Sequence, residues 1–358
     1  MTEYTETWKN MTSDFDFDSV LDFLQSFGPD LKNGLSNHAP MATEALFTMG
    51  RTDAIFPWLE RYEKELKPKE VPTREIGEES WPSFLGASGS FPEWEIFFKN
   101  EIRTKGWQKC VSYWIPKLSP GICADATHGV IRTGHSIRNL IRKETSLRLG
   151  EFSSGLAVWA SNYLELPTSF ESLLGLSARD ALQKVSFVPP EKKVFSGTIV
   201  SSLEGLKDVD SFAPVIGYWD AYGEEEKSVS ELTEAFSRVL KNNVEDTLSA
   251  IVFVHSVTSI SALRSILPFL TPFERKSVLR YSWQTSVALY SAFGKNIEQD
   301  IYEPIAESRE EAIEKAIQHG DEHAIKFTEV CLKENELAPS SSYFAALQAA
   351  RTYLEPLS

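Results

Sequence analysis

The sequence predicts an all-α protein, built as a single large domain of many helices around a central buried helix that contains a histidine. Apolar residues recur at helical spacing along most of the 358 residues. Alternating, β-branched runs of the kind that form strands are scarce, and the nearest candidates are residues 194–200 and a few residues near Val215. A chain that is 42% hydrophobic and 24% charged has the composition of an ordinary globular protein.

The helical pattern begins near residue 19, so we expect a flexible N-terminal segment at residues 1–18 and a helical domain at residues 19–358. Proline, glycine and serine cluster in residues 67–92, which predicts a long loop, and its aromatic residues predict that the loop packs near the mouth of a pocket. The apolar periodicity predicts helices at residues 19–27, 41–66, 94–115, 126–142, 151–164, 177–185, 229–242, 245–267, 272–293 and 309–335.

The charge and the cysteine content argue against several classes of protein. Asp and Glu number 51 against 36 Lys and Arg, and the net charge of -15 repels nucleic-acid phosphates and anionic membrane surfaces. Cys110, Cys123 and Cys331 lie far apart without a CxxC pair, which argues against a disulfide framework and favours a reducing cytoplasm. Because the acidic N-terminus also lacks the pattern of a signal peptide, we expect a cytoplasmic protein.

The most apolar stretch, residues 248–270, approaches the length of a membrane span. It carries His255, Arg264 and Pro268 together with several hydroxyl residues, which a bilayer disfavours. We therefore expect a core helix buried inside the protein, and no membrane partner.

The six histidines are the candidate site residues, and each permits more than one interpretation. His38 precedes a proline at the start of a predicted helix, so its ring either points inward or caps the helix at the surface. His128 and His135 lie two helical turns apart, roughly 10 Å, so at most one of them binds a given ion directly. Arg132 faces the same side of that helix and either lies beside an anionic ligand or is solvated.

The other histidines lie in the apolar helix and near the C-terminus. His255 interrupts the run IVFVHSVTSISAL, where an unpaired imidazole would lose its hydration, so it either hydrogen-bonds within the core or binds a metal. In HGDEHAIK, His319 and His323 are four residues apart and Lys326 follows, which predicts all three on one helical face. Two histidines at that spacing can chelate a metal, although many surface helices carry such pairs without one.

Other chemistries lack their residues. The sequence has no GxGxxG after a strand, no Walker loop, no HExxH and no GxSxG, which argues against nucleotide-binding, zincin and serine-hydrolase functions. The carboxylates of Asp125, Asp321 and Glu322 lie close in sequence to His128 and His323. They either orient the imidazoles or mark the starts of helices.

Four segments, in order, resemble the recurrent motifs of the questin oxidase-like family: NHAPMATEAL at 37–46, THGVIRTGHSIR at 127–138, HSVTSISALR at 255–264 and DEHAIK at 321–326. The resemblance extends from about residue 20 to about residue 355. Fungal members of the family cleave a ring of anthraquinones such as questin, in a Baeyer–Villiger-like reaction that is often drawn with a reduced nicotinamide such as NADPH. Some members are understood as non-haem iron oxygenases with four histidines and a carboxylated lysine around the metal, on a largely helical fold.

The resemblance implies that five residues bind Fe(II): His38, His128, His255, His323 and Lys326. Lys326 would be carboxylated by carbon dioxide and must then be buried, and His319 is the alternative to His323. We expect Arg132 and His135 to be catalytic residues that act on the substrate. Fungal relatives have a tyrosine at the position of His135 and a second histidine near Arg132, so the pocket here differs in polarity.

The leading hypothesis is an iron-dependent oxygenase whose partners are O2 and a small aromatic phenol or quinone. One alternative is a helical protein that binds a small aromatic ligand without catalysis, with histidines that serve the structure only. The other is a zinc metallohydrolase that uses the same histidines.

Overall fold

Helices make up most of the protein in a computed structural model, which describes residues 15–171, 173–221, 223–295 and 307–357. A small antiparallel sheet joins β1 (Phe27–Leu31) to β2 (Leu66–Pro68). The prediction of an all-α fold is confirmed. The helices are α1 (Phe17–Leu24), α2 (Ala39–Thr48), α3 (Ile55–Tyr62), α4 (Phe91–Lys105), α5 (Trp107–Leu118), α6 (His128–Arg142), α7 (Ser146–Ser161), α8 (Ala178–Leu182), α9 (Ile199–Glu204), α10 (Glu225–Asn243), α11 (Thr247–Ile266), α12 (Pro272–Phe293), α13 (Arg309–His319), α14 (Glu322–Leu337) and α15 (Ser341–Tyr353).

Three of the predicted helices are each divided near a glycine in the left-handed region. Residues 41–66 contain most of α2 and all of α3, and Gly50, at a φ of 78°, lies just after α2. Residues 94–115 belong to α4 and α5, which Gly106 separates at a φ of 81°. Residues 309–335 belong to α13 and α14, which Gly320 separates at a φ of 77°. A left-handed glycine ends a helix while its N–H still bonds to the preceding turn. Because apolar spacing resumes at once in the next helix, periodicity alone does not show these breaks.

Neither of the nearest strand candidates in the sequence forms a strand. No strand forms at residues 194–200, where α9 begins, and Val215 lies in the short 3-10 helix Ala213–Gly217. The strands that do form have the sequences FGPDL and LKP, which lack apolar alternation. They pair because the chain returns at residues 66–68 alongside β1, which is a tertiary effect rather than a local one. Helices α9 and α15 were not predicted.

The prediction for the N-terminal segment falls mainly on residues 1–14, which lie outside the described residues. Helix α1 begins at Phe17, two residues before the expected domain boundary. The Asp16 side chain caps this helix by accepting a hydrogen bond of 3.1 Å from the backbone N–H of Asp18. A continuous hydrophobic core then contains buried side chains from α1 through Leu354.

The predicted loop at residues 67–92 packs against α4. Glu93 accepts a hydrogen bond of 2.9 Å from the backbone N–H of Thr73, and Lys69 donates to Glu95 at 2.7 Å. Together with β1, the loop lines a cavity of about 320 Å³. That this cavity is the mouth of a substrate pocket stays a prediction.

Four helices, α2, α6, α11 and α14, form a closed ring in which α2 and α11 each pack against both α6 and α14. The segment Thr247–Phe269, which contains α11, is long and apolar enough to cross a membrane, but most of it is buried inside the protein, as expected of a core helix. Glycines allow α6 to approach its neighbours closely. A Cβ on Gly134 would lie 2.7 Å from the backbone oxygen of Ala262 in α11, and one on Gly129 would lie 2.6 Å from the Cα of Trp159 in α7. Only glycine permits such contacts.

Candidate metal centre

Four buried imidazoles meet inside this ring of helices. His38 caps the start of α2, His128 is the first residue of α6, His255 lies in the middle of α11, and His323 lies in the first turn of α14. One nitrogen atom from each ring lies within 4.8 Å of the others. His255 is 1% exposed and its ring centroid is 4.6 Å from that of His128, so the expectation that His255 is buried and faces His128 is confirmed.

A left-handed turn positions His128. Asp125, Ala126 and Thr127 have φ angles of 48°, 49° and 78°, and this region costs a non-glycine residue about 1–3 kcal/mol. The turn places the carbonyl oxygen of Asp125 against the His128 ring, whose Nδ1–H donates a hydrogen bond to it. The lone pair of His128 is therefore on Nε2, which lies 2.7 Å from Nε2 of His38. The strained turn thus fixes both the ring and its tautomer, as metal-binding histidines require.

The donor atoms of the cluster are short of hydrogen-bond partners. Nδ1 of His38, both ring nitrogens of His255 and of His323, and Nζ of Lys326 are buried without a hydrogen-bond partner among the described residues. Buried polar atoms of this kind are costly and need an explanation. Imidazole nitrogen is a good ligand for iron, zinc and copper, so one metal ion that binds one nitrogen of each ring would satisfy several of these atoms together. The residues present therefore fit a metal.

Lys326 lies one turn after His323 on the same face of α14 and is fully buried. Burial lowers the pKa of its amine to about 8, although the nearby carboxylates of Glu322 and Asp321 act in the opposite direction. Carbon dioxide reacts with a neutral amine, and the lowered pKa increases the neutral fraction near neutral pH. Burial therefore favours the neutral form of the Lys326 amine.

The electrostatic environment favours neutral imidazoles and an anionic partner. Burial holds the pKa values of His38, His128 and His255 well below the usual range, and the charge of Lys326 adds to this effect. Neutral imidazole is the form that binds a metal. Helices α2, α6 and α14 all begin at the cluster, and their positive N-terminal ends favour an anion there.

Carboxylates lie beside three of the rings, those of His38, His128 and His323, as the sequence suggested. Oε1 of Glu322 is 3.6 Å from Nδ1 of His38, and Oδ2 of Asp125 is 3.7 Å from Nδ1 of His128. The Asp321 side chain caps α14, by accepting hydrogen bonds from its first N–H groups, including that of His323 at 2.8 Å, and its Oδ1 also lies 3.5 Å from Nδ1 of His323. Glu322 and Asp321 are thus both placed to orient a ring, and Asp321 also marks the start of a helix.

His319 does not share a helix face with His323, and this prediction was wrong. His319 ends α13, and the left-handed Gly320 turns the chain before α14 begins. His323 and Lys326 therefore share a helix face without His319. Within the described residues, the group of four imidazoles contains His323 and not His319.

Arg132 and His135 each have a carboxylate partner, which is partly buried for Arg132 and fully buried for His135. Arg132 is neither solvated nor unpaired: its Nε and Nη2 donate to the two oxygens of Glu151 at 2.6 and 2.8 Å. Nδ1–H of His135 donates to Glu44 at 2.6 Å. The sequence did not single out Glu44, although it lies within the NHAPMATEAL motif. A role for Arg132 and His135 in catalysis stays a prediction.

The site residues fall inside a region of family similarity. The model of the questin oxidase-like family matches residues 35–331, most of the chain, and this stretch includes all of the residues described above as candidate ligands. No curated protein matches the chain. The family match agrees with the four ordered motifs and indicates an oxidoreductase. The chain therefore belongs to the questin oxidase-like family.

Proposed function

We propose that the protein is an Fe(II)-dependent oxygenase that acts on a small aromatic phenol or quinone. The observation that carries the proposal is the convergence of four buried imidazoles and the amine of Lys326, whose nitrogens are mostly unpartnered, in a member of an oxidase family. Four neutral imidazoles and one anionic oxygen donor suit ferrous iron. The donors would be His38, His128, His255 and His323, with Lys326 as a carbamate.

Bound Fe(II) would supply the redox chemistry that activates O2 and a positive charge that stabilises an anionic substrate. The residues of the chain would prepare the site for it. The neutral amine of Lys326 would attack the carbon of carbon dioxide, forming an N–C bond and releasing one proton, and the carbamate oxygen would become the anionic donor. The Asp125 carbonyl holds the His128 ring in the tautomer that points its lone pair inward.

The surroundings of the donors support oxygen chemistry. All four imidazoles and Lys326 are buried, so water is largely excluded from the donor atoms. The N-termini of α2, α6 and α14 would favour a phenolate as they favour the carbamate. We propose the cytoplasm as the location, and the three cysteines are buried free thiols, as a reducing compartment permits.

A zinc metallohydrolase is the second candidate, because Asp321 and Glu322 lie beside His323 and offer carboxylates that a hydrolase could use as a base. Elemental analysis of protein purified without a histidine tag separates the candidates when it is combined with an oxygen electrode. We expect about one iron per chain and O2 consumption that depends on an added polyphenol, with NADPH tested as the reductant. Stoichiometric zinc without O2 consumption would favour the hydrolase, and a metal-free protein that retains an aromatic ligand would favour a binding protein.

A further inference from the structure

A cluster of one arginine and two buried carboxylates lies beside the metal centre and joins three of its helices. Nε of Arg138, in α6, donates to Oε1 of Glu44, in α2, at 2.9 Å, and its Nη2 donates to the other oxygen of Glu44. Nη1 of Arg138 donates to Glu329, in α14, at 2.6 Å. Glu44 is 0% exposed and Glu329 is 3% exposed. One guanidinium therefore bonds to two buried carboxylates from two different helices.

The three joined helices are those that begin at the metal centre. Helix α2 follows His38, α6 starts with His128, and α14 carries both His323 and Lys326. Glu329 lies one helical turn after Lys326, so the contact of Arg138 with α14 is made next to a donor. The fourth helix, α11, is instead held against α6 by the close contact at Gly134.

The donors themselves do not hold these helices together. Buried nitrogens without partners destabilise the folded chain until a ligand satisfies them, and no local sequence signal brings α2, α6 and α14 to one point. Hydrogen bonds between ionised groups are stronger than neutral ones and are directional. The bonds of Arg138 can therefore set the spacing of the three helices before a metal binds.

We propose that Arg138 is a positioning residue that preorganises the metal centre by clamping α2, α6 and α14 through Glu44 and Glu329. This inference rests on the proposed function in so far as the clamped donors bind a metal. The planar guanidinium is needed because it presents several N–H donors at fixed angles, whereas a lysine offers one nitrogen. Arg142 adds a second positive charge beside the two carboxylates, and its Nη1 donates to Glu44 at 2.7 Å.

Arg138→Lys tests this clamp, because it retains the positive charge but removes the planar guanidinium that bonds to both carboxylates. Arg351→Lys is the matched control. Arg351 is mostly buried and its Nη2 donates to both oxygens of Glu307 at 2.7 Å, but it lies in α15 and its hydrogen bonds are to Glu307 and to α13, which carry no donor of the centre. Folding of each variant is judged by far-UV circular dichroism. If Arg138→Lys does not fold, Glu329→Gln serves as a second variant, because it keeps the shape of the glutamate side chain.

Two measurements start from metal-free protein. The first is amide hydrogen exchange, and the second is titration with Co(II) and no other ligand, in which binding is monitored by the visible absorption of Co(II). We expect Arg138→Lys to exchange faster at the starts of α2, α6 and α14, to bind Co(II) at least about 10-fold more weakly and to change the Co(II) spectrum. Glu329→Gln should weaken binding in the same direction, and Arg351→Lys should match the wild type in both readouts.

The two failures are distinguishable. If the wild-type protein binds no Co(II), the proposed function is contradicted, but hydrogen exchange still tests whether Arg138 positions the helices. Faster exchange in the three helices of Arg138→Lys supports that role, and unchanged exchange overturns it. If the wild type binds Co(II), the inference is overturned by wild-type affinity and spectrum in folded Arg138→Lys, or by an equal loss of affinity in Arg351→Lys.

Discussion

Residues of the centre have unpartnered buried nitrogens and strained backbone angles, which lower the stability of a folded protein. His255 has both ring nitrogens buried without a partner among the described residues, in the middle of an apolar helix. An unsatisfied buried polar group costs about 1–3 kcal/mol. The turn before His128 adds strain at three successive residues. Such costs persist in native proteins mainly where function requires them.

His255→Ala should lose the metal while remaining helical. The variant removes a donor that no other described side chain replaces, and it also removes two unpartnered nitrogens, so the metal-free protein should keep its fold. Iron content per chain after anaerobic loading is the measurement. His319→Ala is the control and should load normally, because His319 lies outside the group of imidazoles. Equal loading of both variants would contradict the proposed donor set.

Lys326→Arg tests the carbamate. Arginine stays protonated and cannot react with carbon dioxide, so the variant should lose iron or oxygenase activity even when it folds. Lys333→Arg is a control in the same helix, at a lysine whose pKa is also lowered by burial. Carbamate formation is followed by NMR with 13C-labelled carbon dioxide. A labelled carbamate that survives in Lys326→Arg, together with unchanged iron content, would show that Lys326 is not the anionic donor.

At the scale of elements, the distance between α6 and α11 depends on Gly134, which has no side chain. A methyl group on Gly134 would lie 2.7 Å from a backbone oxygen and 2.8 Å from the Cβ of Ala262, and a backbone cannot move aside as a flexible side chain can. Since α6 carries His128 and α11 carries His255, separation of the two helices would widen the centre.

Gly134→Ala should therefore destabilise the protein by about 1–3 kcal/mol and weaken metal binding, as overpacking does. Gly150→Ala in α7 is the control, because a Cβ there meets no atom within 4 Å. In an exposed helix alanine is better than glycine by roughly 0.5–1 kcal/mol, so this control should be neutral or stabilising. Urea denaturation and Co(II) titration measure both effects. Normal metal affinity in Gly134→Ala would show that the spacing of the helices is not limiting.

The contacts of α2 with α6 should make the protein sensitive to acid. Burial would raise the pKa of the Glu44 carboxyl, but Arg138 and His135 hold it far below its ordinary value of 4.5. A carboxyl with a lower pKa in the folded state contributes stability that is full above its unfolded pKa and is lost as the pH falls below it. The wild-type free energy of unfolding should therefore drop between about pH 5 and about pH 3.

Glu44→Gln should be less stable than the wild type near neutral pH, by about 3–5 kcal/mol, because it leaves the largely buried Arg138 partly uncompensated. It should also lose less further stability in acid, since the titrating group is gone. The check is urea denaturation of both proteins across that pH range. Parallel pH dependences in the two proteins would mean that Glu44 does not govern the acid response.

At the scale of the whole molecule, a bound metal would connect segments that are distant in the chain, from His38 to Lys326. A ligand that binds only the folded protein stabilises it by about 2.7 kcal/mol when its free concentration is a hundredfold above its Kd. Metal-free protein should accordingly melt at a lower temperature than loaded protein. Differential scanning calorimetry with and without Fe(II), under anaerobic conditions, measures the shift. His255→Ala should show no such shift, and a shift of the same size in that variant would place the metal elsewhere.

The sequence by itself determined most of the helical segments, the order of the candidate donors and the family. Helical periodicity is local, because residues three and four apart share a face whatever surrounds them, and it located α6, α11 and α12 closely. The break at Gly320 was missed because apolar spacing continues across it, although glycine there also permits the left-handed conformation.

Only the tertiary structure decided which side chains meet. His319 and His323 are equivalent by spacing, and the turn at Gly320 places only His323 in the cluster. Likewise, the sequence left open whether Arg132 is solvated or lies beside an anionic ligand, and only the fold shows that α7 brings Glu151 against it. Contacts of this kind join residues on different helices, and they depend on how whole faces pack and on where glycines let backbones approach. No periodicity within one helix contains that information.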